Sequence, residues 1–287
     1  MVKLLKKLFF HAPLSLLSWI GRQGTYAVAA VVVISIFVQP IGAIFKPHVS
    51  EAVFVLLLIA FLRMDTSVLM MYAKRPLIVV AATVWTSFLV PVLFSICCLL
   101  MNLKAQSPDL FLGLMLQAIT SPMMATPAIA IIMGFDATLV LIAMLISTAM
   151  IPLTAPVFVY IFIGEVLTVS PLALGFKLFA IIAGSALAGA ILRRFIGIEA
   201  IENQKERIDG LNIIVLFIFV AAMMEGVAHR FLAMPKTVIV LALIATAAFV
   251  VLFSITVAIF IAAGSKKAFA IGFMASQRNM GLMLAAT

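Results

Sequence analysis

The stretch AFAIGFMASQRNMGLML, residues 268–284, decides the fold. Its apolar run is interrupted by Gln277, Arg278 and Asn279. An α-helix rises about 1.5 Å per residue, so a span that begins near Ala268 carries Arg278 roughly 15 Å inward, to the middle of a hydrocarbon layer. Inserting an arginine there costs about 2.5–3.5 kcal/mol, and such residues usually mark the path of a substrate or an ion. A structural arginine that bonds kinked backbone is the alternative interpretation.

A second apolar run, LFLGLMLQAITSPMMATPAIAIIM at residues 110–133, is interrupted in the same way. Ser121, Pro122, Thr126 and Pro127 lie inside it, and Ser121 is also expected roughly 17 Å deep. We interpret Pro122 and Pro127 as helix breaks. A break in mid-bilayer is tolerated only where protein or an aqueous cavity satisfies the freed backbone groups. Two broken helices at one depth are typical of the binding sites of secondary transporters.

The composition is that of an integral membrane protein. Hydrophobic residues make up 66% of the 287 residues and charged residues only 10%, and the mean hydropathy is +1.33. Soluble domains are roughly half apolar and a quarter charged. Apolar runs near 20 residues recur without the short alternating pattern of a membrane β-barrel, so the predicted fold is all-α. The net charge of +9 follows the loops, which argues against a nucleic-acid partner.

The apolar runs predict nine spans arranged in two repeats. Residues 1–24 are expected to form a cytoplasmic amphipathic segment, with a frayed basic tail as the alternative. Residues 25–162 form the first five-span repeat and residues 171–287 the second, which ends within its fourth span, so the sequence is expected to be truncated before a tenth span. The predicted spans are 25–45, 52–71, 76–101, 110–133, 137–162, 171–192, 211–228, 237–263 and one that opens after Lys267.

The basic residues predict the orientation. Thirteen lie in the N-terminal segment and one alternate set of loops, and four lie in the other set. Because cytoplasmic loops are enriched in Lys and Arg, the N-terminus is placed in the cytoplasm, with a bacterial inner membrane as the expected location. The larger set comprises Lys3, Lys6, Lys7, Arg22, Arg63, Lys74, Arg75, Arg193, Arg194, Lys205, Arg207, Lys266 and Lys267, and the smaller set Lys46, Lys104, Arg230 and Lys236.

An odd number of spans per repeat implies that the second repeat is inverted in the membrane. Five predicted spans precede the loop at Glu165, so the next span begins from the opposite side. Each repeat then has its broken helix in fourth place, at 110–133 and from 268 onward. Inverted repeats with discontinuous helices are typical of secondary transporters.

Other polar residues in the spans are weaker candidates. Ser147 and Thr148 precede two prolines in the fifth span, where hydroxyl groups commonly bond their own helix. Glu225 and His229 are four residues apart, which favours an interfacial pair over a proton relay.

No catalytic motif is present. The adjacent cysteines 97 and 98 indicate neither a disulfide nor a metal site. The chain lacks HExxH, GxSxG and any cluster of intramembrane carboxylates, so we do not expect an enzyme.

Four segments resemble the bile acid:sodium symporter family, whose wider superfamily includes arsenite and auxin-type carriers. They are FLRMDTSVLMMYAKRP at 61–76, SPMMATP at 121–127, STAMIPLTAP at 147–156 and RNMGL at 278–282. The resemblance implies a ten-span fold with a panel and a core domain. It also implies two unwound helices that cross at the substrate site, and alternating access by an elevator-like or rocking motion.

The sequence departs from that family at the positions of its sodium ligands. Met274 stands where the symporters typically carry a Glu, and Arg278 replaces the Gln of a Gln-Asn pair that retains Asn279. Pro127 and Ala128 occupy the positions of a Ser-Asn pair. A sodium ion would lack its carboxylate and would be repelled by Arg278. No cofactor is therefore expected, although Ser147 and Thr148 still match hydroxyl ligands of the family.

We hypothesise that Arg278 is a tethered cation that replaces the missing ion and meets a small organic anion, with a carboxylate as the best fit. The lipid bilayer is the other expected partner, and the oligomeric state, the substrate and the direction of transport stay open. A sodium-coupled symporter with altered ligands and a non-transporting membrane sensor are the alternatives. The candidate substrate-binding residues are Ser121, Thr126, Ser147, Thr148, Gln277, Arg278 and Asn279, and no metal ligands are predicted.

Overall fold

The computed structural model describes residues 12–37, 39–63, 76–164, 167 and 169–287. These residues form helices and contain no β-strand, which confirms the prediction of an all-α membrane protein. Within the described part, six helices are long and apolar enough to cross a membrane, and the bent pair Leu14–Gln23 and Tyr26–Phe37 would make a seventh. The predicted fourth and ninth spans are not among them because each is divided into two short helices. The predicted first span, 25–45, is not among them either, since Tyr26–Phe37 belongs to the bent pair and residues 41–45 belong to the run Ile41–Leu62.

The chain divides into two compact units. The first comprises residues 1–64 and 184–238, as far as they are described, and the second comprises residues 65–183 and 239–287. Two of the divisions fall within long helices, Pro171–Ile196 and Pro235–Phe260. Each unit contains residues from both halves of the chain. The predicted end of the second span at residue 71, the loop at Glu165 and residues 1–11 of the amphipathic segment lie outside the described residues.

In the first unit, one helix packs against four others. Its helices are α1 (Ala12–Gln23), α2 (Thr25–Phe37), α3 (Gln39–Phe45), α4 (Val49–Leu62), the end of α11 (Pro171–Ile196), α12 (Ile198–Asn203), α13 (Lys205–Met223) and α14 (Val227–Ala233). Helix α13 packs against α1, α2, α3 and α4.

Two glycines allow α1 and α13 to approach closely. A Cβ atom on Gly21 would lie 1.9 Å from the backbone oxygen of Glu206, and one on Gly210 would lie 2.0 Å from that of Leu17. Neither obstacle is the end of a flexible side chain, so only a residue without a Cβ fits at these positions.

The boundary between the first two predicted spans differs from the sequence-based expectation. The loop expected at Lys46 is a 3₁₀ turn, Lys46–His48, and Ile41–Leu62 forms one apolar helical run. Pro47 does not interrupt it because proline in a first helical turn removes no hydrogen bond that the helix needs.

Ion pairs of this unit join residues predicted to lie on the same membrane side. The Nζ atom of Lys46 lies 2.7 Å from a carboxylate oxygen of Glu225, so Glu225 pairs with Lys46 and not with His229 as the four-residue spacing suggested. At the other end of α13, Arg63 pairs with Asp209.

The second unit contains the two broken helices. Its helices are α5 (Pro76–Val84), α6 (Val90–Leu100), α7 (Leu103–Gln106), α8 (Pro108–Ile119), α9 (Thr126–Ile132), α10 (Ala137–Phe158), the start of α11, most of α15 (Pro235–Phe260), α16 (Ser265–Ser276) and α17 (Met280–Ala286). A π-helical turn, Trp85–Leu89, joins α5 to α6. Buried residues of α5, α9, α10, α15 and α16 form one apolar core, within which the indole N–H of Trp85 donates to the hydroxyl of Thr256 at 2.9 Å.

Candidate functional site at the two helix breaks

The first break lies between α8 and α9. Helix α8 ends at Ile119, and Thr120 is extended, with φ −76° and ψ 164°. Pro122 lies in the non-helical segment, as predicted. Pro127 instead occupies the first turn of α9, where its fixed φ suits a helix start and its missing N–H removes no bond. Pro127 therefore begins the second half-helix and does not break the first.

The second break lies between α16 and α17. Helix α16 ends at Ser276, and Gln277 is extended, with φ −97° and ψ 116°. Asn279 is the N-cap of α17, and its side chain accepts a hydrogen bond from the backbone N–H of Leu282 at 3.3 Å. The predicted interruption is thus confirmed, while the Asn279 side chain serves the helix end.

The two breaks bond to each other through their backbones. Pro122 and Arg278 form an isolated antiparallel β-bridge. The N–H of Met123 donates to the carbonyl of Gln277 at 3.0 Å, and the N–H of Asn279 donates to the carbonyl of Ser121 at 2.8 Å. Backbone groups that each break would leave unpaired in a membrane are therefore satisfied by the other break.

The guanidinium group of Arg278 ties a third segment to this junction. Its Nη1 donates to the carbonyl of Thr120 at 2.9 Å and to that of Thr86 at 3.1 Å, and its Nη2 donates to Thr86 at 3.1 Å. We call these atoms and the bridged breaks the crossover. A guanidinium has five N–H donors, so three bonds leave donors unused, and the Nε of Arg278 is buried without a protein partner.

The local backbone explains why these carbonyls are free to accept. Thr120 directly follows the end of α8, where helical carbonyls lose their intrahelical partners and carry partial negative charge. Thr86 lies in the π-helical turn, in which the regular hydrogen-bond pattern changes. The cation of Arg278 thus lies within hydrogen-bond distance of two backbone carbonyl oxygens. In the described part of the chain, no group of three His, Cys, Asp or Glu residues could hold a metal.

The predicted hydroxyl residues have different environments. Thr126 donates to the carbonyl of Met123 within the first break, and Thr148 donates to the carbonyl of Met144 in its own helix at 2.8 Å. Ser121 and Ser147 are buried, and neither hydroxyl has a protein partner. Thr126 and Thr148 therefore satisfy local backbone, as hydroxyls in spans commonly do.

The crossover brings together Ser121, Gln277, Arg278 and Asn279 from the candidate set. Ser147 and Thr148 lie on α10, which packs against both α8 and α16. Gln277 contributes its backbone carbonyl to the bridge between the breaks.

The third predicted span also contributes to the crossover, although none of the candidate residues predicted from the sequence lies on it. Thr83, Thr86 and Ser87 lie in and beside the π-helical turn and are all buried. The hydroxyl groups of Thr83 and Ser87 have no protein partner, and the carbonyl of Thr86 holds Arg278. The signal was present as the short polar cluster TVWTS at residues 83–87 of an apolar run.

Comparison with known proteins adds no assignment, since no protein-family model matches the chain and no curated protein matches it.

Proposed function

We propose that this protein is a secondary membrane transporter of a small organic anion, a divergent relative of the bile acid:sodium symporters. The observation that carries this proposal is the crossover, in which two helix breaks far apart in sequence bond to each other inside an apolar protein. Many secondary transporters form their substrate site within the membrane from discontinuous helices that meet in this way.

The organisation of the chain supports the same proposal. Each broken helix is the fourth of its predicted five-span repeat, and the repeats are inverted in the membrane. The two compact units each take residues from both halves, which agrees with the panel and core domains that the resemblance implies. Alternating access around the crossover is the corresponding mechanism.

Arg278 takes the part of the coupling cation in this proposal. Its guanidinium bonds the carbonyls of Thr86 and Thr120, and its positive charge is covalently fixed. Occupation of these oxygens by a permanent cation removes the need for sodium at this point. Transport is accordingly independent of sodium, in contrast to the symporters that the chain resembles.

The same group gives the site its preference for anions. Arg278 retains unused N–H donors, and the buried Nε is one of them. A carboxylate accepts hydrogen bonds from a guanidinium with favourable geometry and charge. The substrate is therefore a carboxylate, and the buried hydroxyls of Ser121 and Ser147 offer it further hydrogen bonds.

Uptake into proteoliposomes tests the proposal. Radiolabelled pyruvate, succinate and taurocholate are presented to the purified full chain with either sodium or choline outside. We expect saturable uptake of at least one carboxylate that is equal in the two salts. We also expect Arg278→Gln to reduce uptake at least tenfold, because the variant loses one charge-assisted hydrogen bond to the substrate, which contributes about 1.5–3 kcal/mol.

The matched control is Lys177→Gln, which removes the positive charge of an exposed residue on α11. This variant is expected to leave uptake unchanged. Uptake that requires sodium would favour the altered symporter. Uptake that is indifferent to Arg278→Gln would make the arginine purely structural. Binding of a carboxylate without any flux would identify a sensor.

A further inference from the structure

In the described part of the chain, most buried hydroxyl groups fall into two classes; Thr120 and Thr126, which donate to the carbonyl three residues earlier, and Ser185 belong to neither. Seven donate to the carbonyl four residues earlier in their own helix, at 2.6–3.2 Å: Ser35, Thr86, Ser95, Thr148, Thr154, Thr256 and Ser276. Four have no protein partner: Thr83, Ser87, Ser121 and Ser147. The exposed fraction of these four residues is 1–6%, so bulk water does not satisfy them.

Three of the unpaired hydroxyls are unusual because a simple alternative exists for them. Thr83, Ser87 and Ser147 lie in helical segments, where a serine or threonine hydroxyl can rotate to bond the carbonyl of the preceding turn. Thr148 does so while its neighbour Ser147 does not. Buried polar atoms in native proteins nearly always have partners, so each exception calls for an explanation, such as a water or an ion that takes the missing place.

All four unpaired hydroxyls belong to segments around the crossover. Thr83 and Ser87 are four positions apart and lie on either side of Thr86, whose carbonyl bonds Arg278. Ser121 directly follows Thr120, the other acceptor of Arg278. Ser147 lies on α10, which packs against α5, the π-helical turn and α16. Among the residues that the structure describes, the other buried side-chain nitrogen or oxygen without a protein partner is the Nε of Arg278 itself.

We propose that Thr83, Ser87, Ser121 and Ser147, with the Nε of Arg278, line the subsite that binds the substrate, and that the substrate is a small carboxylate with a neighbouring hydroxyl or keto oxygen. This inference rests on the proposed transport function and adds Thr83 and Ser87 of the third span to the site. The Nε of Arg278 is one cationic donor and can bond one carboxylate of the substrate. The unpaired hydroxyls can bond the further oxygens of a hydroxy or keto acid. A large amphipathic anion would leave most of these hydroxyls unpaired.

Thermal unfolding of the purified full chain tests the inference, with lactate and pyruvate as probes and taurocholate as the amphipathic comparison. The variants are Thr83→Val and Ser87→Ala. Each removes an unpaired buried hydroxyl, so the ligand-free melting temperature is expected to rise by about 2–4 °C. Each also removes a ligand contact, so the apparent dissociation constant for the small carboxylate is expected to rise about tenfold.

The matched controls are Thr154→Val and Ser95→Ala, whose hydroxyls bond their own helices. They are expected to show a melting temperature that is unchanged or lower and an unchanged response to the carboxylates. If Thr83→Val and Ser87→Ala respond to lactate or pyruvate like the unaltered protein, the subsite is wrong although the transport proposal stands. Stabilisation by taurocholate alone overturns the small-carboxylate class. Absence of any carboxylate effect on melting and on uptake removes the transport proposal and this inference together.

Discussion

Arg278→Ala is expected to lower the free energy of unfolding by about 3–6 kcal/mol, because the guanidinium bonds two carbonyl groups and hydrogen bonding to a charged group contributes about 1.5–3 kcal/mol for each of them. The variant loses the bonds to Thr86 and Thr120 and leaves both carbonyls facing a space without a donor. The melting temperature in detergent measures the loss. The β-bridge between Pro122 and residue 278 uses backbone only and is expected to form still, so the variant folds but is less stable.

A small cation is expected to replace the missing side chain. Methylguanidinium at millimolar concentration, far below denaturing levels, should restore most of the lost melting temperature of Arg278→Ala. Sodium should not restore it, since only two carbonyl oxygens are available as ligands. The control is Arg230→Ala, an exposed residue of α14, which is expected to be neutral and insensitive to methylguanidinium. Rescue by sodium would instead indicate a metal site that the arginine blocks.

The positions of the two breaks could be predicted from the sequence, whereas the partner of Arg278 could not. Gln277, Arg278 and Asn279 are polar residues in an apolar run, and prolines mark the other break. The acceptors of Arg278 are backbone carbonyls, which every residue type carries. Their availability depends on a π-helical turn, which no side-chain pattern marks, and on the exact residue at which α8 ends. The hydrogen bonds of Arg278 are therefore recognisable only in the three-dimensional structure.

The hydroxyl groups show a similar limit. Ser147 and Thr148 are adjacent, both are buried, and the sequence pattern treats them alike. Thr148 bonds the carbonyl of Met144, while Ser147 bonds none. The difference depends on side-chain rotation and on neighbouring helices, which the spacing of residues along the chain does not predict. For the same reason the four-residue spacing favours His229 as the partner of Glu225, whereas Glu225 pairs with Lys46 from another segment.

Gly210→Ala is expected to separate α1 from α13 and to destabilise the first unit by about 3 kcal/mol. The added Cβ would lie 2.0 Å from the backbone oxygen of Leu17 and 3.0 Å from its Cα. Backbone atoms cannot rotate away, so the helices have to move apart and lose the packing around Gly21. The measurement is the melting temperature of the purified chain, together with protease access to α1.

Gly113→Ala is the matched control for this prediction. Gly113 also lies inside a helix, α8, but a Cβ there would meet nothing within 4 Å. Alanine is a better helix former than glycine by about 1 kcal/mol, so this variant should be as stable as the unaltered protein or more so. The same substitution is thus expected to act in opposite directions at two helical glycines. If Gly210→Ala also keeps or raises the melting temperature, α1 does not pack on α13 through this contact, and the N-terminal segment is free to lie on the membrane surface as its amphipathic pattern predicts.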